Sequence, residues 1–243
     1  MMKQKLYLVA LLCATLLGVT SCDIVDDDIK NVQTLNGTFT ITGSYPDYKL
    51  IQDNGTIVYP SASNVSDITD KEGFGNHKRA QFYVNYHPED VTTENGTNVI
   101  RNAELHDGVY LIEQKILTEA EATEAGLLKE DSIYTVKSID SWFAYGYLTS
   151  IITASYTKEE GNIIYPSVNL YAKCTGDNAV TFTLLYNRHK TNGVDFEGTF
   201  PYSFDITSFN VPGNDSITVT LEVKDRRPSS IKVARKDFYS HAQ

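Results

Sequence analysis

The sequence predicts an all-β protein, and three observations carry that prediction. Apolar and polar residues alternate over most of the chain, the period of a strand with one buried face. The composition favours strands, with 16 tyrosines and 11% aromatic residues beside many Thr, Val and Ile. Short polar stretches containing Gly, such as Asp53-Asn54-Gly55 and Glu160-Gly161-Asn162, interrupt the alternation at turn-like intervals.

In chain order, Lys3 and Lys5 precede an uncharged apolar run from Leu6 to Val19. It is shorter than the roughly 20 residues a spanning helix needs, and with its basic front and small-residue end it has the parts of a secretion signal. Val19-Thr20-Ser21-Cys22 resembles the lipobox of bacterial lipoproteins. That resemblance implies residues 1–21 as a signal peptide, cleavage before Cys22, and lipid on its thiol. Residues 22–31 then form an acidic tether. Its Asp26, Asp27 and Asp28 resemble the signal that sends Bacteroidetes lipoproteins to the outer face of the outer membrane. The same run suits a solvated linker.

Residues 32–117 read as five short strands, a number that suits a small OB-type barrel. Phe39 and Ile41 share a face in the first. Tyr48–Ile51 and Thr56–Tyr59 flank Asp53-Asn54-Gly55, a hairpin signal, and Pro60 ends the second of these. Ser61–Lys78 and Pro88–Thr97 read as polar loops. Between them Ala80, Phe82, Val84 and Tyr86 make an inward face, and Val99–Leu105 and Val109–Ile116 read as a hairpin around His106-Asp107-Gly108. Residues 118–132 read as a linker with a short helix, Thr118 and Glu121 forming a capping box and Gly126 closing it. Residues 133–243 carry longer alternating runs, clearest in Ile217, Val219, Leu221 and Val223. One polar and one apolar face per strand predicts a C-terminal antiparallel β sandwich.

Charge and cysteine content narrow the function. The net charge is −10, and losing the signal's two lysines makes it more negative. Such a surface repels nucleic acid and anionic headgroups, so nucleic acid is not an expected partner and membrane attachment is expected through the N-terminal lipid. Two or three acyl chains anchor stably, where one holds weakly. Cys13 leaves with the signal and Cys22 is the lipid site, which leaves Cys174 and no intramolecular disulfide.

No arrangement points to catalysis, a metal or another cofactor. The five histidines, His77, His87, His106, His189 and His241, have no ligand spacing. No Gly-x-Ser-x-Gly elbow occurs. Cys174 shares a face with Val168 and Leu170, as a buried inert thiol would. Glu159-Glu160 and the Asp195/Glu197 pair fall in expected turns without an apolar pocket. Lys78-Arg79 and Arg226-Arg227 are isolated basic pairs expected at solvated ends, and single-strand binding lacks its basic groove. The most distinctive cluster is Trp142, Phe143, Tyr145 and Tyr147. Read as one strand, it places Tyr145 and Tyr147 on one face around Gly146, either as sandwich core or as a platform for a sugar or partner. Asp131-Ser132-Ile133 and Asp215-Ser216-Ile217 resemble the Bacteroidetes O-glycosylation motif, with Ser132 and Ser216 as acceptors.

A wider resemblance rests on the order of several segments. These are Asp26–Asp28, Gly55-Thr-Ile-Val-Tyr-Pro60, Trp142 with Gly146-Tyr-Leu148, Leu184-Leu-Tyr-Asn-Arg-His189, Tyr202-Ser-Phe-Asp-Ile206 and Ile217–Val223. In this the chain resembles the NigD-like lipoproteins of Bacteroidetes. The resemblance implies a lipoprotein signal, an N-terminal OB-type domain, a C-terminal sandwich, and an accessory or immunity role in a bacteriocin-associated setting. It supplies no catalytic residues. The polar insert 118–131 departs from the shorter connector expected there. The function expected is therefore binding at the outer membrane, to a protein partner or, alternatively, to a glycan through exposed tyrosines.

Overall fold

The computed structural model describes residues 31–72, 74, 77–129, 133–189 and 193–241. The N-terminal strands are β1 (Gln33–Ser44), β2 (Asp47–Gln52), β3 (Ile57–Pro60), β4 (Arg79–Tyr86), β5 (Val91–Glu94) and β6 (Thr97–Tyr110). β1 pairs β2 and β4, β2 pairs β3, and β6 closes the ring by pairing β4 antiparallel and β3 in parallel. Helix α1 (Ala62–Glu72) joins β3 to β4. A closed five-stranded barrel with this path is of the OB type, as the sequence predicts. Phe39, Leu50, Val58, Ala80, Phe82, Val84 and Ile100 fill it.

Two expectations within the barrel are corrected. The stretch expected as a loop from Ser61 holds α1. The Ser61 hydroxyl accepts from the Asn64 N–H at 3.3 Å, and its carbonyl accepts from Val65 N–H. Asn64 also bonds Leu105, its carbonyl oxygen accepting the Leu105 N–H at 3.0 Å. Among the described residues Val65 and, beyond the helix, Phe74 reach the core, and the largely polar sequence of this stretch does not advertise a helix. The expected hairpin at His106-Asp107-Gly108 is instead a bulge within the continuous β6. Tyr83 faces His106 and Gln81 faces Val109, so Asp107 and Gly108 together oppose Phe82. Gly108 is required there, since a Cβ would lie 2.1 Å from a Phe82 ring carbon.

Beyond Tyr110 the chain enters the second layer pair at once. β7 (Ile112–Gln114) and β8 (Ile116–Leu117) precede α2 (Glu119–Glu124), β9 (Ser138–Ala144), β10 (Tyr147–Glu159), β11 (Asn162–Ile164), β12 (Ser167–Gly176), β13 (Ala179–Asn187), β14 (Val194–Asp205), β15 (Ile217–Val223), β16 (Ser229–Val233) and α3 (Arg235–Phe238). One sheet runs β10-β14-β7, with β9 and β11 sharing the far edge of β10; the other runs β16-β15-β13-β12-β8. β7 and β8 pair in parallel with β14 and β12. The hydrogen bonding therefore places the barrel's end near Tyr110 rather than residue 117. Helix α2 carries the expected capping box, with Glu121 held down to about 2 by Lys115 and Thr118.

The inner faces pack Leu148, Ile152, Leu170, Phe182, Leu184, Phe204, Ile217 and Phe238 into one sandwich core. Trp142–Tyr156, expected as one strand, is a hairpin whose two-residue turn is Tyr145-Gly146, both at positive φ. Cys174 is half-buried, its thiol 3.6 Å from the Asn210 carbonyl oxygen.

Removing a ring from either core leaves a cavity. Phe82→Ala is expected to lower stability by about 3–5 kcal/mol in denaturant titration.

Candidate functional site

The two domains meet around one guanidinium. Arg79 begins β4 and pairs with Thr40 of β1 on the barrel's outer wall. It is fully buried. Its Nη1 donates to Asp53 Oδ1 at 2.6 Å and Thr40 Oγ1 at 2.9 Å. Its Nη2 donates to Asp53 Oδ2 at 2.8 Å and to Thr149 Oγ1 of β10 at 2.7 Å. The Tyr147 ring lies 5.0 Å from the guanidinium carbon, and the Trp142 indole N–H donates to Asp53 Oδ2 at 2.5 Å. The turn between β2 and β3 is thus docked on the β9–β10 hairpin. This corrects the reading of Lys78-Arg79 as a solvated pair. Alternation identifies Arg79 as outward-facing on the barrel but cannot show that the sandwich covers that wall.

Tyr147 is 3% exposed, so it offers no surface to a ligand. Burial first, then the nearby Asp205 and Glu113 carboxylates, push its hydroxyl up to about 12. His241 stacks on its other side at 4.8 Å. The expected Tyr145/Tyr147 platform is not formed, because Tyr145 itself stands in the turn while Tyr147 begins β10 and is buried. Tyr145 is half-buried in the turn, its hydroxyl 3.4 Å from where a Gly55 Cβ would stand. Burial, and then Asp53 and Asp237, raise its pKa.

Tyr145 nevertheless lines an opening. Among the described residues β9 and β16 have no strand paired to their outer edges, and a groove runs between them. One part, about 560 Å³, is floored by Leu148, Val219 and Leu221 and walled by Trp142, Phe143 and Ile231, with Asp140, Asp225 and Arg227 on its rim. The other, about 650 Å³, shares Phe143 and Ile231 and adds Asp53, Tyr145, Lys232, Asp237 and His241 beside the domain junction. Arg226, expected to be solvated, donates to the Val136 carbonyl oxygen at 3.0 Å. β16 and α3, which supply one wall, are mostly polar in sequence; Ile231 and Lys232 are both exposed.

The remaining sequence candidates are scattered. Cys22, Asp26, Asp27, Asp28 and Ser132 lie outside the described residues. Ser216 is half-buried just before β15. Among the described residues no group of His, Cys, Asp or Glu is placed to hold a metal. His77 stacks on Tyr110 at 3.8 Å, while Asp195 pairs with Arg188 at 2.9 Å and Glu197 with Lys137.

With this geometry in place, the fold can be compared with solved structures. No protein-family model and no curated protein matches the chain. A toxin-related protein from Parabacteroides distasonis has a TM-score of 0.53 at 13% identity, over 84% of this chain and 96% of its own. A candidate lipoprotein from Bacteroides fragilis has 0.50 at 12% identity, over 87% of this chain and 100% of its own. A NigD-like immunity protein from Bacteroides caccae has 0.49 at 16% identity, over 84% and 94%. The first two show a shared fold, a barrel-and-sandwich architecture found in Bacteroidetes.

Two measurements probe the junction. Asp53→Asn leaves the Arg79 charge buried without its counter-ion and is expected to cost about 3–5 kcal/mol in chemical denaturation. Asp205 beside it is also informative. Burial raises its pKa, but the Thr207 hydroxyl and N–H and the His241 ring outweigh burial and hold it below the ordinary 3.8. A depressed carboxyl stabilises the fold above 3.8 and loses that contribution as pH falls through its native value. Asp205→Asn is expected to lower stability at pH 7 and to flatten the decline below pH 4 in thermal melts.

Proposed function

We propose that this chain is a lipid-anchored outer-membrane protein that acts by binding rather than catalysis, with a protein partner held in the groove between β9 and β16. The groove is the observation that carries the reading. Its floor is made of sandwich-core side chains reached from solvent, and its walls are strands whose outer edges are unpaired among the described residues, edges that accept an added strand. The lipobox-like Val19–Cys22 supports anchoring through Cys22, and the acidic run Asp26–Asp28 supports display on the outer face. The resemblance to the NigD-like lipoproteins supports an accessory or immunity role against a secreted peptide or protein toxin.

The test is a capture experiment with the full chain in detergent, using envelope and culture supernatant from the producing cells. A saturable protein partner crosslinking to residues on β9 or β16 is expected. Ile231→Arg should abolish capture while leaving the melting temperature nearly unchanged, because Ile231 is 44% exposed. A folded bait that retains no saturable partner, or one that crosslinks only to the barrel, would overturn the reading.

A further inference from the structure

The two walls of the groove differ in how far they are covered. β16 pairs β15 antiparallel, with Ile231 opposite Val219 and Lys232 opposite Thr218. Directly opposed residues share a face, and Val219 belongs to the sandwich core. Ser229, Ile231 and Val233 therefore point between the sheets. Ser230 and Lys232 point to the outer face, where the Ser230 and Thr220 hydroxyl oxygens stand 2.8 Å apart. Val233 is buried, yet Ile231, of the same parity, is 44% exposed. Ile139 and Phe143 on β9 are half-buried against the core. Of the apolar side chains lining the groove, Ile231 is the least covered, and it stands on an edge that no strand pairs among the described residues.

The charge along this edge is opposite in sign to that of the chain. Residues 226–236 hold Arg226, Arg227, Lys232, Arg235 and Lys236 and no Asp or Glu, within a chain of net charge −10. Among the described residues none of the five forms an ion pair. Arg226 and Arg235 spend donors on backbone carbonyl oxygens, of Val136 at 3.0 Å and Val211 at 2.9 Å, which leaves their charge unmatched. Arg227, before the strand, and Lys232, within it, both line the groove. Of the carboxylates there, Asp53 is paired with Arg79 and Asp225 accepts from the Thr135 hydroxyl; Asp140 lies on β9 and Asp237 at the junction end. Salt screens charges beyond about 8–10 Å, so a segment lying on β16 meets these cations more strongly than the acidic surface elsewhere.

We infer that β16 is the edge that takes the partner, and that the partner supplies an acidic strand: an extended segment whose alternate apolar side chains close over Ile231 while the intervening Asp or Glu residues lie against Lys232 and Arg227. This rests on a protein partner being held in the groove and adds which wall it pairs and what it carries. Strand addition satisfies the bare edge through main-chain hydrogen bonds. Period-two alternation then sends one set of side chains inward, toward Phe143 across the gap, and the other outward beside Lys232. Charge complementarity selects the acidic strand and disfavours a second copy of this edge, which would bring two basic segments together.

The test is calorimetric titration of the full chain in non-ionic detergent with a capped peptide of alternating Glu and Val, about seven residues long, enough to span the five residues of β16 at about 3.4 Å each. This peptide is expected to bind, and its Lys/Val counterpart to bind about fivefold more weakly. N-methylation of its backbone, which blocks the ladder hydrogen bonds, should weaken it by more than about tenfold. Lys232→Glu should reverse the preference between the two peptides, and Ile231→Ala should weaken the acidic one about fivefold. Both positions are exposed, so both variants should melt close to the parent. Absence of binding, equal binding of the Glu and Lys peptides, or undiminished binding of the N-methylated peptide would each overturn the inference. So would equal binding of a peptide of the same composition with its Val residues contiguous, since charge alone would then suffice. Any of these failures leaves partner capture at β9 and β16 untouched, which separates them from failure of the groove reading.

Discussion

The bidentate pair of Arg79 with Asp53 is the contact on which the arrangement of the two domains depends. A guanidinium with no exposure is tolerated where its charge is matched, because an uncompensated buried charge costs far more than a matched one contributes; both terminal nitrogens of Arg79 are paired, while its Nε has no partner among the described residues. Here the matching is divided between domains: Thr40 and Asp53 come from the barrel, Thr149 and the Tyr147 ring from the sandwich, and Trp142 grips the carboxylate from the sandwich side. The barrel supplies the counter-ion, and the sandwich completes the hydrogen bonding through Thr149 and Trp142. The pair thus selects one docking geometry more than it adds net stability, and it fixes where the β9–β10 hairpin sits.

That placement governs the groove. β9 is held by β10 on one side and by the Trp142 contact to the barrel, so its outer edge faces the gap toward β16. Near the junction Asp53, Tyr145 and His241 line the gap, and farther along it reaches core side chains.

The strands were legible wherever one face is buried and the other wet, as in Ile217–Val223 and Ala80–Tyr86, because alternation records that asymmetry directly. The barrel-and-sandwich division was legible for the same reason. Three kinds of feature were not. Helix α1 is largely polar in sequence, so it reads as a loop. The bulge at Asp107-Gly108 and the turn at Tyr145-Gly146 are both Gly-containing steps within apolar surroundings, and local sequence does not say whether a partner strand continues across them; each was read as the other. Arg79 shows the third kind: alternation assigns faces, and what covers a face is decided by residues far away in the chain. Thr38 and Thr40, nearly as buried as their apolar neighbours, are further instances.

The short segment from Leu111 to Leu117 has a consequence for how the protein can be divided. It leaves the barrel and gives one parallel strand to each sandwich sheet, β7 against β14 and β8 against β12. A fragment starting after residue 117 would lack both and would present two bare sheet edges to other chains. A fragment ending there would carry Ile116 with nothing to pack against. The barrel and sandwich are therefore not interchangeable modules on a string. Recombination, truncation or fusion at this apparent boundary would leave an aggregation-prone remnant, so the pair should be inherited, expressed and engineered as a single piece.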